Sequence, residues 1–256
     1  MKRVLTALVL IPVFCYLVLW APQWAFLITA ALVGVLCFRE YGNLVALHQI
    51  EAPGLFGIIA GLVVLLLPRL EIVFVVVVAL LGMILSLRLG NLARSLPYAA
   101  ALALGILYVF GSLRSAIELR GISPYWLFFA LSLNWVGDAA AYYIGRALGR
   151  HRMAPHVSPG KSWEGAVASM AASVIYGAIY FPRLLPMAPL LEALGITAIA
   201  NVAGQCGDLC ESALKRGAGV KDSGTLLPGH GGWLDRVDSS LFALPVVYLL
   251  LKTLRG

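Results

Sequence analysis

Charge is scarce in this chain. Asp, Glu, Lys and Arg make up 12% of its 256 residues, about half the share of an ordinary soluble domain. Hydrophobic residues make up 61%, and the mean hydropathy is +0.91. A soluble globule of this size cannot bury so much apolar side chain, which excludes an ordinary soluble enzyme and a disordered chain. Cysteine is sparse too. Cys15, Cys37, Cys206 and Cys210 form no C-x-x-C pair, and all of them lie in apolar runs. They read as helix residues, which excludes a disulfide-rich secreted module. Alternating apolar and polar runs are also missing, which argues against an outer-membrane barrel. What remains is an all-α, polytopic integral membrane protein.

The apolar runs fall at 4–20, 24–38, 54–67, 72–87, 97–113, 125–145, 163–181, 188–210 and 239–254. They predict about nine transmembrane helices. The first run follows Lys2-Arg3 like a signal peptide, but Pro22 follows Ala21 and no small-x-small cleavage site stands out, so an uncleaved helix is expected. Pro68-Arg69-Leu70-Glu71 alone separates runs three and four, which predicts a tight helical hairpin. Residues 1–120 read as helices for packing and lipid contact. Residues 121–256 read as a catalytic transmembrane region with polar loops at 146–162 and 211–238. No internal repeat suggests an inverted-repeat transporter.

The net charge is +7. Basic loops that hold orientation account for it, and an anionic substrate could use the same charges. With the N-terminus inside, Arg69, Arg114, Arg120, Arg183, Lys252 and Arg255 fall outside, and the other thirteen of the 19 Lys and Arg residues fall inside. This predicts a cytoplasmic N-terminus, with both polar loops on the cytoplasmic side.

The helix of the eighth run, continued a turn or so past its apolar end, carries Asn201, Gln205, Asp208, Ser212 and Lys215. On a helix these share an arc of about 80°, a polar stripe on an apolar cylinder. A carboxylate there is costly unless it faces a cavity, a cation or a partner. Asp208 is therefore a candidate functional residue, or else a partner for a basic residue in helix packing. The glycine-rich loop that follows delivers Asp235 and Asp238 at i, i+3, on one face at the start of the ninth helix. Acidic side chains gathered near phosphate-binding cations suggest Mg²⁺; the alternative is a helix-capping pair. Lys215, Arg216, Lys221 and Arg236 supply the positive charge. That mixture suits phosphoryl or nucleotidyl transfer. His230 stands between glycines, and a lone loop histidine is more often structural.

The other polar loop contains Ser158-Pro-Gly-Lys-Ser-Trp-Glu-Gly165. Gly160-Lys161-Ser162 fails as a P-loop, because the first glycine would fall on Pro155 and no strand is expected before it. A helix start whose N–H groups and Lys161 face an anion fits better, with Ser162 as N-cap and Glu164 in the first turn. Asn134, Asp138 and Tyr142 form a second stripe. Asp138 is a further metal or nucleotide contact, or a partner for Arg146.

The run Ser212 to Asp238 resembles the signature of the phosphatidate cytidylyltransferases, also called CDP-diacylglycerol synthases. The matching positions are Ser212, Lys215, Arg216, Lys221, Asp222, Gly224, Pro228, His230, Gly231, Gly232, Asp235, Arg236 and Asp238. Trp233 stands where an aliphatic residue or Phe is usual, and stays apolar. Residues 158–165 are similar to that family's second hallmark. The first half resembles the family only as a set of apolar helices.

The resemblance implies a nine-helix enzyme of the inner (plasma) membrane, dimeric and open to the cytoplasm. The reaction it implies is CTP plus phosphatidate giving CDP-diacylglycerol and pyrophosphate, with Mg²⁺ and K⁺ as the candidate cations. It implies metal ligation by Asp208, Asp235 and Asp238, with Lys215 beside them. Together the two lines give Lys215, Asp222, Asp235 and Asp238 as candidate catalytic residues, and Ser158, Lys161, Ser212, Arg216, Lys221, His230 and Arg236 as candidate substrate contacts. The phosphatidate phosphate is already an anion, so no side-chain nucleophile is needed, and positioning and electrostatics supply the rate. Two rivals are a membrane CTP-dependent transferase or lipid kinase acting on another lipid, such as an isoprenoid, and a cation-coupled transporter using Asp138 and Asp208. No nucleic-acid partner is expected.

Overall fold

Most of the apolar runs become helices that extend past the ends expected of them. The structure is a computed structural model, and it describes residues 12–67, 72–226 and 231–255. Helix α1 covers 12–19 of these. It is followed by α2 (Gln23–Leu47), α3 (Gly54–Leu66), α4 (Ile72–Ser86), α5 (Ser95–Gly105), α6 (Ser112–Ile122), α7 (Pro124–Leu148), α8 (Trp163–Leu184), α9 (Leu190–Gly217) and α10 (Leu234–Arg255). A π-helical segment, Ile106–Gly111, joins α5 to α6 without a break. Five helical spans are long and apolar enough to cross a membrane: Gln23–Leu47, Leu92–Ile122, Trp163–Leu184, Leu190–Gly217 and Leu234–Leu254. Helices α3 and α4 are apolar but shorter. The protein is an all-α integral membrane protein. The turn expected between α3 and α4 lies outside the described residues.

The chain divides into two compact units. The first holds Pro22–Arg114 and Leu214–Arg236. In it α2 packs on α3, α3 on the π segment, and α4 on α5. Phe38, Tyr41, Leu65, Tyr98, Leu102 and Phe110 are its buried centre. The rings of Phe38 and Phe110 lie 5.4 Å apart. Gly61 faces the Phe110 ring so closely that any side chain there would overlap it. Arg114 is buried and donates to the carbonyl of Leu65, at 3.1 Å, near the end of α3. It satisfies an acceptor that a helix end leaves over.

The second unit includes Ser115–Ala213 and Val237–Gly256. Ser123 caps α7 by accepting from the N–H of Tyr125, and Pro124 supplies the first helical position. Helices α7 and α8 pack over an aromatic cluster in which Phe129 and Phe181 lie 4.6 Å apart. Tyr180 donates from its hydroxyl to the carbonyl of Tyr125 at 2.7 Å. Buried Arg120 donates to the carbonyls of Val18 and Ala21. Arg114 and Arg120 are thus partners of helix ends rather than loop charges.

One feature corrects the expectation for 146–162. The segment contains an antiparallel hairpin of β1 (Arg152–Ala154) and β2 (Ser158–Ser162), so a strand does precede α8. Val157 N–H donates to the Ala154 carbonyl to turn the chain, and Trp163 N–H donates to the His151 carbonyl where it returns.

Candidate active site

In the second unit the hairpin, α7, α8 and α9 line a small open cavity of about 60 Å³. Asp138, Lys161, Ser162, Ser169, Gln205 and Asp208 are among its lining residues. Lys161 Nζ lies 2.7 Å from Asp208 Oδ2. Ser212, one turn on along α9, donates to Asp208 Oδ1 at 3.2 Å. The anion that Lys161 meets here is therefore the Asp208 carboxylate. Asp138 faces the same cavity, whereas Arg146 is exposed and donates to the Tyr142 hydroxyl at 3.1 Å.

A network of neutral groups supports this wall. Gln205 Nε2 donates to Asn201 Oδ1 at 2.6 Å, and Asn201 Nδ2 donates to the hydroxyls of Ser169 and Ser173, each at 2.9 Å. The expected stripe on α9 thus has two jobs: Asn201 and Gln205 tie α9 to α8, and Asp208 faces the cavity. Ser162 caps α8, its Oγ accepting from the N–H of Gly165 at 3.2 Å. Glu164 in the first turn accepts from His151 Nδ1 at 2.6 Å. Ser158 is half-buried on β2. Asp238 belongs to the same unit, on α10, where its Oδ1 accepts from the N–H of Ser239 at 2.7 Å.

The first unit brings together a second set. Lys215, at the end of α9, is 8% exposed. Its Nζ lies 2.5 Å from Asp235 Oδ1. Asp235 Oδ2 accepts from the N–H and hydroxyl of Ser223, at 2.9 and 3.0 Å, and from the N–H of Gly232 at 2.8 Å. Asp235 does act at the start of α10, and it also joins three separate pieces of the signature segment. Arg216 donates to the Val220 carbonyl at 3.3 Å and is exposed, as are Lys221, Asp222 and Arg236. His230 lies outside the described residues. Glu40, on α2, reaches this set and is 2% exposed. The second apolar run stops at residue 38 and so leaves Glu40 out, whereas α2 continues to Leu47. A carboxylate within a long apolar helix was the available signal.

Among the described residues, no group of three or more His, Cys, Asp and Glu side chains is gathered closely enough to hold a metal ion. Asp138 and Asp208 share one cavity, however. Mg²⁺ in phosphate-handling enzymes commonly takes one or two carboxylates and completes its shell with water and substrate phosphate. The donor set fits a cation bound in that way.

Residues 1–254 match the profile of the Cytidylyltransferase family. The chain is 34% identical to a phosphatidate cytidylyltransferase of Bacillus subtilis (strain 168), over 98% of this chain and 97% of that one. It is 33% identical to one of Staphylococcus aureus (strain COL), over 97% and 98%. It is 36% identical to one of Brucella suis biovar 1 (strain 1330), over 96% and 91%. With a lysine–carboxylate cavity among apolar helices and the signature segment both in place, the chain belongs to the cytidylyltransferase family.

Proposed function

We propose that this protein transfers CMP from CTP to phosphatidate, giving CDP-diacylglycerol and pyrophosphate for phospholipid synthesis. The observation that carries the reading is the cavity holding Lys161, Asp138 and Asp208 in a chain of this family. Relatives that match it over nearly their whole length bear the name of that activity.

In the reaction, a phosphate oxygen of phosphatidate forms a bond to the α-phosphorus of CTP. The bond from that phosphorus to the oxygen of the β-phosphate breaks, and pyrophosphate leaves with the electron pair. Asp208 and Asp138 would hold Mg²⁺ together with the substrate phosphates, and the ion would there supply neutralisation of charge on those oxygens. Lys161 orients Asp208 and offers its ammonium to a phosphate. Asp235 fixes Lys215 and the backbone around Ser223. Arg216, Lys221 and Arg236, all exposed, supply positive charge to the triphosphate. The apolar helices seat the protein in the bilayer, where the acyl chains of the lipid stay solvated.

The site faces the cytoplasm of the plasma membrane in this reading. Burial of Arg114 and Arg120 against helix ends supports it, since it strengthens the excess of loop cations on the inner side. A homodimer and a role for K⁺ rest on the family resemblance, as does metal ligation by Asp235 and Asp238.

Incubation of the purified protein with CTP labelled at the α-phosphate, phosphatidate and Mg²⁺ tests the reading. Label should move into the organic phase as a lipid nucleotide. CTP labelled at the γ-phosphate should leave no label there. The reverse pattern means a lipid kinase. No transfer from either nucleotide contradicts the enzyme reading and favours a transporter.

A further inference from the structure

We infer that Glu40 is a positioning residue for the nucleotidyl transfer, holding the signature segment from a helix outside it. The inference rests on the proposed reaction. Glu40 lies in α2, far from the segment in sequence, yet its carboxylate is 2% exposed and aimed at it. Oε1 accepts from the N–H of Trp233 at 3.0 Å, and Oε2 accepts from the N–H of Leu234 at 2.8 Å. Leu234 is the first residue of α10. These N–H groups are among those a helix start leaves without an intrahelical acceptor, and the positive end of the helix favours an anion there. Glu40 therefore caps α10 from another element.

Ser223 makes the link to the chemistry. Its hydroxyl lies 3.0 Å from Glu40 Oε2 and 3.0 Å from Asp235 Oδ2. It has one proton to give, so the two carboxylates share it in turn. Asp235 in turn holds Lys215. The site leaves room for this seat, since a Cβ on Gly224 or Gly232 would overlap the Glu40 carboxylate. Two turns further on, just past the end of α2, His48 Nε2 donates to the carbonyl of Leu214 at 3.0 Å. Glu40 and His48 thus grip the segment beside Lys215, at Leu214, and beside Asp235, at Trp233 and Leu234, and a loosened grip moves the pair.

The test compares the wild type with Glu40→Gln, Ser223→Ala and Tyr41→Phe in detergent. Tyr41 is the neighbouring buried residue and donates to the Ala101 carbonyl at 2.9 Å, away from the segment. Glu40→Gln keeps the shape but turns one acceptor into a donor facing other donors. A misplacement of about 1 Å can cost roughly 100-fold, so Glu40→Gln should lower kcat on that order, with KM for CTP changed less than about threefold. Trypsin should cut after exposed Lys221 faster than in the wild type. Ser223→Ala should lower kcat less, and the double variant should be no worse than Glu40→Gln. Tyr41→Phe should keep kcat near wild type even where it lowers the Tm as much as Glu40→Gln does. Wild-type kcat in Glu40→Gln overturns the inference. So does loss of kcat in Glu40→Gln and Tyr41→Phe in the same proportion to their Tm. A wild type that makes no lipid nucleotide contradicts the proposed reaction instead. The tryptic rate of Glu40→Gln then decides the seat, and an unchanged rate overturns it.

Discussion

Lys161 Nζ lies 2.7 Å from Asp208 Oδ2, which joins the strand before α8 to the polar stripe of α9. Both side chains keep about a quarter or more of their surface accessible, at 25% and 31%. An ion pair this open contributes on the order of 0–1 kcal/mol to stability. Its place in a cavity beside Asp138 points to binding charge instead.

The first prediction follows from that. Asp208→Asn should lower kcat by roughly 100-fold or more, the scale of losing one preorganised electrostatic contact in a site. The Tm of the detergent-solubilised protein should barely move. Lys161→Ala should behave alike, and the double variant should be little worse than the poorer single one, because the two act as a unit. Full additivity in steady-state kinetics would show that they act apart.

Lys215 and Asp235 predict a different pattern. Their side chains are only 10% and 6% exposed. Removing one partner of a buried pair strands the other charge, at roughly 3–5 kcal/mol. Lys215→Ala should therefore lose stability as well as kcat. Lys215→Met combined with Asp235→Asn should regain most of the stability and stay inactive. Lys221→Ala, at an exposed position, should raise KM for CTP and leave kcat within about threefold, the mark of uniform binding. Chemical denaturation run beside kinetics separates these outcomes.

The third prediction concerns the cation. Ser212 donates to Asp208 Oδ1 at 3.2 Å and so fixes how that carboxylate points. EDTA should abolish turnover, and Mg²⁺ should restore it. Ser212→Ala should raise the Mg²⁺ concentration for half-maximal rate by about tenfold, in line with losing a group that orients a metal ligand. Turnover that persists in EDTA would remove Mg²⁺ from the account.

Orientation can be read by thiol labelling. His156 and Thr225 are exposed, whereas Ser223 is buried and would label poorly. His156→Cys and Thr225→Cys, each in a background without the native cysteines, should resist an impermeant maleimide on intact cells. Each should react once the cells are opened. Labelling on intact cells would reverse the assignment for that loop.

The fold class was legible because continuous apolar runs leave a chain few options other than membrane helices. Asp208 was legible because a carboxylate on an apolar helix is expensive. The reading left open whether Asp208 pairs with a basic residue or faces a cavity, and both hold at once. Glu40 was missed for a physical reason: its partners are backbone N–H groups almost two hundred residues away, and no sequence period records them. The hairpin at 152–162 was missed because Pro155 and Pro159 interrupt any alternating pattern. Arg114 and Arg120 looked like loop charges, since nothing local in the sequence shows that a carbonyl at another helix end will accept from them.

The central claim is that this membrane protein joins CTP to phosphatidate. Pyrophosphate release by the purified protein, measured with each substrate alone, with both, and with other lipid phosphates in place of phosphatidate, tests it most directly. The account predicts release only when CTP and phosphatidate are both present, with one CDP-diacylglycerol formed for each pyrophosphate. Release from CTP alone, or a faster rate with an isoprenoid phosphate than with phosphatidate, would contradict it.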